Sequence, residues 1–340
     1  MTLRTIAIVG AGNWGTALAI LWSSRATEII LWGHNRERLC TMEANRSHDF
    51  GGGRTAELPE AIRLTSDLAE CGRAELIVFV TPSTALREVA TALRPVAKDT
   101  AVLLSCTKGL EHQSGMRMSE ILQEIFATSR VAVLSGPNLA VEVVRGLPSA
   151  TVLGCRDPNC AQDLQRSLGS PRFRIYSSQE TAGIELGGAL KNVFAITAGA
   201  SDGLGFGDNS KAALVTRCLA EMIRLGTAMG GHSATFYGLS GAGDLIATCF
   251  SHYSRNRKVG ELLGHGKTVD DIVAEMKTVA EGIPTTRSAF DCARRLQIET
   301  PIIDQAYAML YENRKPEEAL RELISRDQKP ERIDAVGNIP

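Results

Sequence analysis

The 340-residue chain predicts an α/β fold: a mostly parallel, doubly wound sheet of the Rossmann type, followed by an all-α C-terminal domain. Three observations predict it. Short apolar, β-branched runs alternate with helix-like segments up to about residue 178. The first of those runs opens onto a glycine-rich turn ten residues into the chain. Beyond residue 178 the runs give way to long stretches of helical periodicity.

The first strand is Thr5–Val9, and it leads into Gly10-Ala11-Gly12-Asn13-Trp14-Gly15 and a helix-like segment over residues 16–23. Strand, glycine turn and helix in that order suit a dinucleotide. Gly10 permits the tight turn, Gly12 lets a pyrophosphate approach the backbone, and Gly15 lets helix pack on strand. The second strand, Glu28–Trp32, ends in Gly33-His34-Asn35-Arg36, where an NAD-selective site would place a carboxylate on the ribose hydroxyls. No acidic residue appears there before Glu37. His34, Asn35 and Arg36 could accept a 2′-phosphate, which points to NADP or to NADP and NAD alike; Arg36 and Arg38 also read as solvated helix residues.

Residues 45–60 contain Gly51-Gly52-Gly53 and no periodicity, and are expected to form a flexible loop. Further strands are expected over residues 62–64, 76–80, 101–106, 131–135, 149–154 and 173–176. Three of them end in turns of chemical interest. Thr81-Pro82-Ser83 follows one strand at its carboxyl end, where open α/β sheets bind ligands. Thr107-Lys108-Gly109 places a lysine just past another, either to meet an anion or simply in solvent. Gly136-Pro137-Asn138 follows a third and suggests a helix start with free backbone donors.

In the second half, residues 182–201 carry one basic side chain, Lys191, and one acidic, Glu185. Leu186, Leu190, Val193 and Phe194 share one helical face, so a mostly buried helix is expected. Lys191 would lie over Gly187 and Gly188, on a patch left open by two absent side chains. Burial makes such an amine easier to deprotonate, which suits acid/base chemistry. The alternative is a lysine that snorkels to water or pairs with Glu185. Residues 199–207 are glycine-rich, either a loop beside a ligand or the connection between two helices. Helical patterns cover residues 211–229, 268–277, 285–296 and 302–311. Residues 238–244 (GLSGAGD) place Asp244 after a glycine, the position of a helix cap. Ser254-Arg255-Asn256-Arg257 puts hydroxyl, guanidinium and amide donors ahead of a helix, a pattern suited to phosphate. These patterns give domains over residues 1–178 and 179–330, with residues 331–340 as a tail.

Composition bounds the partners. The 44% of hydrophobic residues suffices for substantial cores, and 37 basic against 38 acidic residues leave no global attraction to nucleic acid or anionic membrane. The eight cysteines form no C-x-x-C pair and read as thiols of a reducing cytosol, with no zinc-ligand spacing and no metal expected. No uncharged apolar stretch reaches the length of a membrane span, so a cytoplasmic protein without stable membrane insertion is expected.

Taken together, GAGNWG, TKG (107–109), SGPNLA (135–140), GGALKNVFAI (187–196), GLSGAGDL (238–245), SRNR (254–257) and VAEG (279–282) resemble, in order and spacing, the motifs of bacterial-type NAD(P)-dependent glycerol-3-phosphate dehydrogenase. The resemblance spans nearly the whole chain. It implies reduction of dihydroxyacetone phosphate to sn-glycerol 3-phosphate for phospholipid synthesis, with NADP or NAD as cofactor and a homodimeric state. Lys191 would donate the proton in reduction and accept it in oxidation. Lys108, Gly136, Asn138, Asp244, Ser254, Arg255 and Asn256 would hold the phosphorylated ketone. Asn13, Trp14, His34, Lys108, Ala140, Arg255, Val279 and Glu281 would contact the cofactor. Lys108 would add positive charge, while Asp244 would orient Lys191 and offset two ammonium groups. Two departures stand out: Asn138-Leu139 where the family more often has Ser or Thr followed by Phe, and Gly51–Gly53 in place of a proline-containing segment. Two other readings remain: a related hydroxy-acid dehydrogenase of the 3-hydroxyisobutyrate type, which would not need Ser254–Arg257, and a dinucleotide sensor, which would not need Lys191, Lys108 and Asp244 together.

Overall fold

The structure is a computed structural model that describes residues 3–127, 129–276 and 280–327. The chain divides into two compact units, one of residues up to Thr107 with Met118–Thr181, the other of Lys108–Arg117 with the chain from Ala182 onward.

The first unit opens with β1 (Thr5–Val9), α1 (Asn13–Trp22), β2 (Glu28–Trp32) and α2 (Arg36–Asn45). Short strands β3 (Ser47–Asp49), β4 (Thr55–Glu57) and β5 (Ile62–Thr65) follow. Then come β6 (Leu76–Phe79), α3 (Leu86–Leu93), β7 (Val102–Ser105), α4 (Met118–Ile125), β8 (Arg130–Ser135), α5 (Ala140–Val144), β9 (Ser149–Cys155), α6 (Pro158–Leu168) and β10 (Phe173–Ser178). Eight strands form one sheet in the order β10-β9-β8-β7-β6-β1-β2-β5. All neighbours are parallel except β8 and β9. Ile6, Ile8, Leu31, Val78 and Leu104 are fully buried, as expected for strands with both faces covered. The chain leaves β1 toward β2 on one side and later returns to β6 on the other. That reversal is the switch point at which doubly wound sheets take ligands.

Two local expectations are corrected. The helix after the glycine turn begins at Asn13 rather than at residue 16, so the second half of the fingerprint is already its first turn. Residues 45–60 are not a structureless loop. β3 and β4 pair antiparallel, Ser47 opposite Glu57 and Asp49 opposite Thr55. Gly51, Gly52 and Gly53 form the connection with φ of +96°, +64° and +73°, a region glycine enters without the Cβ penalty.

The second unit is helical: α7 (Ala182–Gly203), α8 (Asp208–Ala228), α9 (Ser233–Phe236), α10 (Asp244–Phe250), α11 (Arg255–Gly264), α12 (Val269–Glu275), α13 (Gly282–Arg295), α14 (Pro301–Tyr311) and α15 (Pro316–Ile324). Every residue of α7 from Gly183 to Ser201 is buried, so this helix is the unit's axis. The glycine-rich stretch 199–207 is mostly its last turn; only residues 204–207 connect to α8. The reason for glycine here is contact. A Cβ on Gly199 would stand 1.9 Å from the Arg257 carbonyl oxygen, and one on Gly260 would stand 1.8 Å from that of Ile196. α7 and α11 therefore cross backbone against backbone. Elsewhere the Glu221 carboxylate, 1% exposed on α8, accepts from the N–H groups of Ile302 (3.0 Å) and Ile303 (2.8 Å), two of the donors a helix start leaves unpaired. The expected helix end at Lys277 and the tail 331–340 lie outside the described residues.

Because no rotamer can relieve a Cβ pressed on a backbone oxygen, Gly260→Ala should cost about 2–3 kcal/mol of stability or more. Urea unfolding monitored by circular dichroism checks this; a loss below about 0.5 kcal/mol, the scale of a neutral surface substitution, would show that the helices can part.

Candidate active site

Lys191 sits midway along α7, and its surroundings differ from the open patch that Gly187 and Gly188 suggest. A Cβ on Gly187 would lie 2.6 Å from the Ser240 carbonyl oxygen, so the chain at residues 240–241 fills that space. Leu239–Gly243 forms a single π-helical turn. Such wide turns recur at functional sites. Glycine is required inside it, because a Cβ on Gly241 would meet the Phe236 carbonyl oxygen at 2.0 Å. The turn runs straight into α10 and delivers Asp244 to that helix's first turn, 2% exposed. Asp244 is thus not the helix cap that its place after a glycine suggests; Gly243 occupies that position.

Lys191 neither snorkels nor pairs with Glu185. It is 7% exposed, and its Nζ donates to Asp244 Oδ1 at 3.0 Å and to Thr248 Oγ1 at 2.7 Å. Thr248, one turn beyond Asp244 on α10, donates in turn to Asp244 Oδ1 at 3.2 Å. The other carboxylate oxygen, Oδ2, accepts from Lys108 Nζ at 2.5 Å. Lys108 reaches it because Lys108–Arg117 belongs to the helical unit. Leu110 is buried in that unit's core, pairs across a β-bridge with Arg117, and receives the Ser288 hydroxyl on its carbonyl at 3.4 Å.

One carboxylate therefore serves two ammonium groups. Burial lowers the Lys191 pKa to about 8; Asp244 opposes this shift and the Lys108 charge adds to it. For Asp244 burial alone would raise the pKa, but the charges of Lys108 and Lys191 and their hydrogen bonds hold the carboxyl below its usual value. The result is an amine poised near neutral pH beside a carboxylate that stays ionised.

The start of α11 completes this cluster. Ser254 caps the helix, its hydroxyl accepting from Arg257 N at 3.2 Å. Asn256 donates to Asn192 Oδ1 at 2.8 Å and accepts from Gly282 N at 2.8 Å, tying α11 to the residue after Lys191 and to the start of α13. Arg257 is not available to a ligand as the basic run suggests. It is buried and donates to Asp202 Oδ2 at 2.7 Å, the oxygen that also receives Lys211. Arg255 differs: it is exposed, and among the described residues no hydrogen bond or ion pair holds its guanidinium. Glu281, at the cap of α13, is the carboxylate whose charge acts on Arg255, and Val279 lies outside the described residues.

In the first unit the glycine turn has the form a pyrophosphate needs. Gly10 has φ +131° and a Cβ there would meet the Val80 carbonyl oxygen at 2.6 Å, while one on Gly15 would lie 1.9 Å from that of Gly10. A Cβ on Gly12 would meet nothing within 4 Å. Gly12 also precedes α1 without a side-chain cap and with no acidic residue in the first turn, so the helix's free N–H groups suit a bound anion. Asn13 and Trp14 are half-buried at that start. His34 is exposed between β2 and α2. Asn35, one of the candidate 2′-phosphate ligands, instead caps α2 by accepting from Arg38 N at 2.9 Å. Gly136 lies where a Cβ would press on Thr151 at 2.9 Å, and Asn138 donates to the Ala150 carbonyl at 3.1 Å while its Oδ1 is buried without a hydrogen-bond partner in the described residues. Ala140 is half-buried as the first residue of α5.

Sequence reasoning missed Thr248 and Asn192 as members of the cluster. Thr248 is legible as a residue four beyond Asp244, on the same helical face; Asn192 is hidden by its place next to Lys191.

The chain is similar to known proteins along most of its length. Family models described as the NAD-dependent glycerol-3-phosphate dehydrogenase N-terminus and C-terminus match residues 5–161 and 180–321. A glycerol-3-phosphate dehydrogenase of the NAD(P)+ type from Citrifermentans bemidjiense is 44% identical over 333 residues, 96% of this chain and 99% of the relative. One from Syntrophotalea carbinolica is 44% identical over 331 residues, with coverage of 96% and 99%. The crystal structure of glycerol-3-phosphate dehydrogenase from Coxiella burnetii superposes with a TM-score of 0.92 at 35% identity, covering 96% of this chain and 100% of that one. By sequence over nearly its whole length and by fold, the chain belongs to the NAD-dependent glycerol-3-phosphate dehydrogenase family.

Proposed function

We infer that this protein catalyses the reversible reduction of dihydroxyacetone phosphate to sn-glycerol 3-phosphate with NADPH or NADH, supplying glycerol phosphate for phospholipid synthesis. The observation that carries the reading is the single buried carboxylate, Asp244, bonded to both Lys108 and Lys191. A reduced nicotinamide, when bound, supplies hydride to the carbonyl carbon. The oxygen then gains negative charge and must be neutralised as it forms. Lys191 gives it a proton from Nζ, and takes the proton back in oxidation. Asp244 keeps enough positive charge on Lys191 to make it a donor near neutral pH, and Thr248 aims the amine. Lys108, on the other oxygen of the same carboxylate, adds positive charge beside the substrate. Arg255 and the N–H groups at the start of α11 suit the phosphate, whose binding energy aligns the carbonyl. Gly136, Asn138, Ser254 and Asn256 complete the substrate set. Asn13, Trp14, His34, Ala140, Val279 and Glu281 complete the cofactor set with Lys108 and Arg255.

A hydroxy-acid dehydrogenase with a non-phosphorylated substrate would have no use for the exposed Arg255 guanidinium, and a sensor would have none for an amine poised near pH 8. Kinship also leads us to expect a homodimer in the cytoplasm, which sedimentation and fractionation check; among the described residues no helix is long and apolar enough to cross a membrane.

The absorbance loss of NADPH and NADH with dihydroxyacetone phosphate tests the reaction, and the ratio of kcat/KM values ranks the cofactors. With no carboxylate before Glu37 after β2, NADPH should be used at least as well as NADH. Lys191→Ala should lower kcat by about 10²–10⁴-fold with little change in cofactor affinity; near-normal kcat would remove Lys191 from the mechanism. The pH profile carries the sign. Reduction needs the ammonium, so its kcat/KM should fall as pH rises through about 8, and oxidation should fall as pH drops through the same value. In Asp244→Asn the amine loses the charge that supports it, so the alkaline limb of reduction should move to lower pH. A limb that stays in place would detach Asp244 from Lys191 in function.

A further inference from the structure

The β3–β4 hairpin, which the mechanism above does not use, is joined to the dinucleotide fingerprint by the hydrogen bonds of one side chain, Asn13, and by the packing of Phe50. Asn13 Nδ2 donates to the Phe50 carbonyl at 3.1 Å, and Asn13 Oδ1 lies 3.0 Å from His48 Nε2. The first bond fixes which end of the Asn13 amide is oxygen, so Nε2 donates to it at the shorter distance, while the Arg38 guanidinium lies farther from the same nitrogen, at 3.5 Å. His48 is 2% exposed, with its ring edge-on to Phe50 at 4.6 Å between centroids. Burial, with the neighbouring Arg38 charge, lowers its pKa to about 4, partly offset by Asp49, so the ring is neutral at physiological pH. Phe50 in turn packs with Ala17 of α1 and Val141 of α5, and half-buried Trp14 and Ala140 pack against the same cluster. At its base the hairpin is held by Arg46, which donates to the carbonyls of Leu58, Pro59 and Ile62.

Asn13 is the first residue of α1, and its N–H is one of those a bound pyrophosphate would meet. Its amide is committed to the hairpin at both ends, so its main chain is what it offers to a dinucleotide. We propose that His48 is a positioning residue for the cofactor: by donating Nε2–H to Asn13 Oδ1 it locks the first turn of α1 and the β3–β4 hairpin into the one arrangement that receives the pyrophosphate. This rests on the dinucleotide-dependent activity proposed above and goes beyond it, assigning a role to the hairpin that replaces the family's proline-containing segment.

The test uses His48→Phe, His48→Ala and His48→Gln in the full-length protein. Phenylalanine keeps the ring packing and removes the donor; glutamine keeps a donor of similar reach. Dissociation constants for NADPH and NADH come from energy transfer between tryptophan and the reduced nicotinamide, beside kcat, both KM values and the melting temperature. In His48→Phe and His48→Ala the cofactor Kd and KM should rise about tenfold, or ~1.4 kcal/mol, with kcat and the KM for dihydroxyacetone phosphate within about twofold of the unsubstituted enzyme. His48→Gln should recover cofactor affinity to within about threefold. An unchanged cofactor Kd in His48→Phe overturns the proposal. So does a fall in every parameter in step with melting temperature, or a glutamine variant no better than phenylalanine. Should the unsubstituted protein bind cofactor yet leave dihydroxyacetone phosphate untouched, the substrate reading fails while the Kd series still decides the role of His48.

Discussion

Two ammonium groups and one carboxylate, all largely withdrawn from water, make an arrangement that holds only while the carboxylate is shared. Asp244 bonds Lys108 through one oxygen and Lys191 through the other, so each cation is stabilised by the charge that limits its repulsion with its neighbour. Buried ion pairs of this kind contribute little net stability, since desolvation offsets most of the attraction. Their value lies in the surplus. One negative charge against two positive leaves a surplus of positive charge at the amines, the sign that favours a developing alkoxide. Burial, with the Lys108 charge adding to it and Asp244 opposing, keeps the Lys191 amine close to releasing its proton.

The cluster needs backbones closer than side chains ordinarily allow. Glycines at 199 and 260 let α7 and α11 touch main chain to main chain. That approach puts Asn192 within a hydrogen bond of Asn256, and Asn256 also holds the first N–H of α13. Three helices are thereby fixed to one another within one residue of Lys191 and one of Arg255. The π-helical turn at Leu239–Gly243 does the equivalent for α10, because the space over Gly187 admits a backbone and nothing larger. Site geometry in this unit is set by where side chains are missing as much as by where they are present.

The doubly wound sheet was legible because its central strands are buried on both faces and read as unbroken apolar runs bounded by glycine or proline. The dinucleotide turn was legible for a different reason: three glycines answer three separate steric demands within six residues. What could not be read had no local signal. β3 and β4 are three residues each, too short to show an alternation, and the hairpin they form is bonded to Asn13, more than thirty positions from His48. Asp244 reads locally as a cap; the resemblance, not its local sequence, points to Lys108 and Lys191 as its partners, and the fold supplies both contacts. Arg257 illustrates the converse error. The basic run alone does not separate it from Arg255 as a phosphate ligand, yet Asp202, fifty-five positions earlier, takes its charge into the core. Residue types and order carried the chemistry; long-range pairing decided which of two neighbouring cations was left to use it.

The short excursion Lys108–Arg117 has a bearing on how such a protein can be recombined. It is encoded between two strands of the sheet unit but belongs to the helical one, so the polypeptide passes from one unit to the other three times. A helical half transplanted from a relative as a single continuous block, starting at Ala182, would arrive without Lys108 and would meet whatever residue the recipient carries there. Asp244 would then face a foreign donor, and the charge count at the amine would be set by the recipient. The two units are modular in space but interleaved along the gene, and their ancestry must be shared at residues 108–117 for the site's charge to balance.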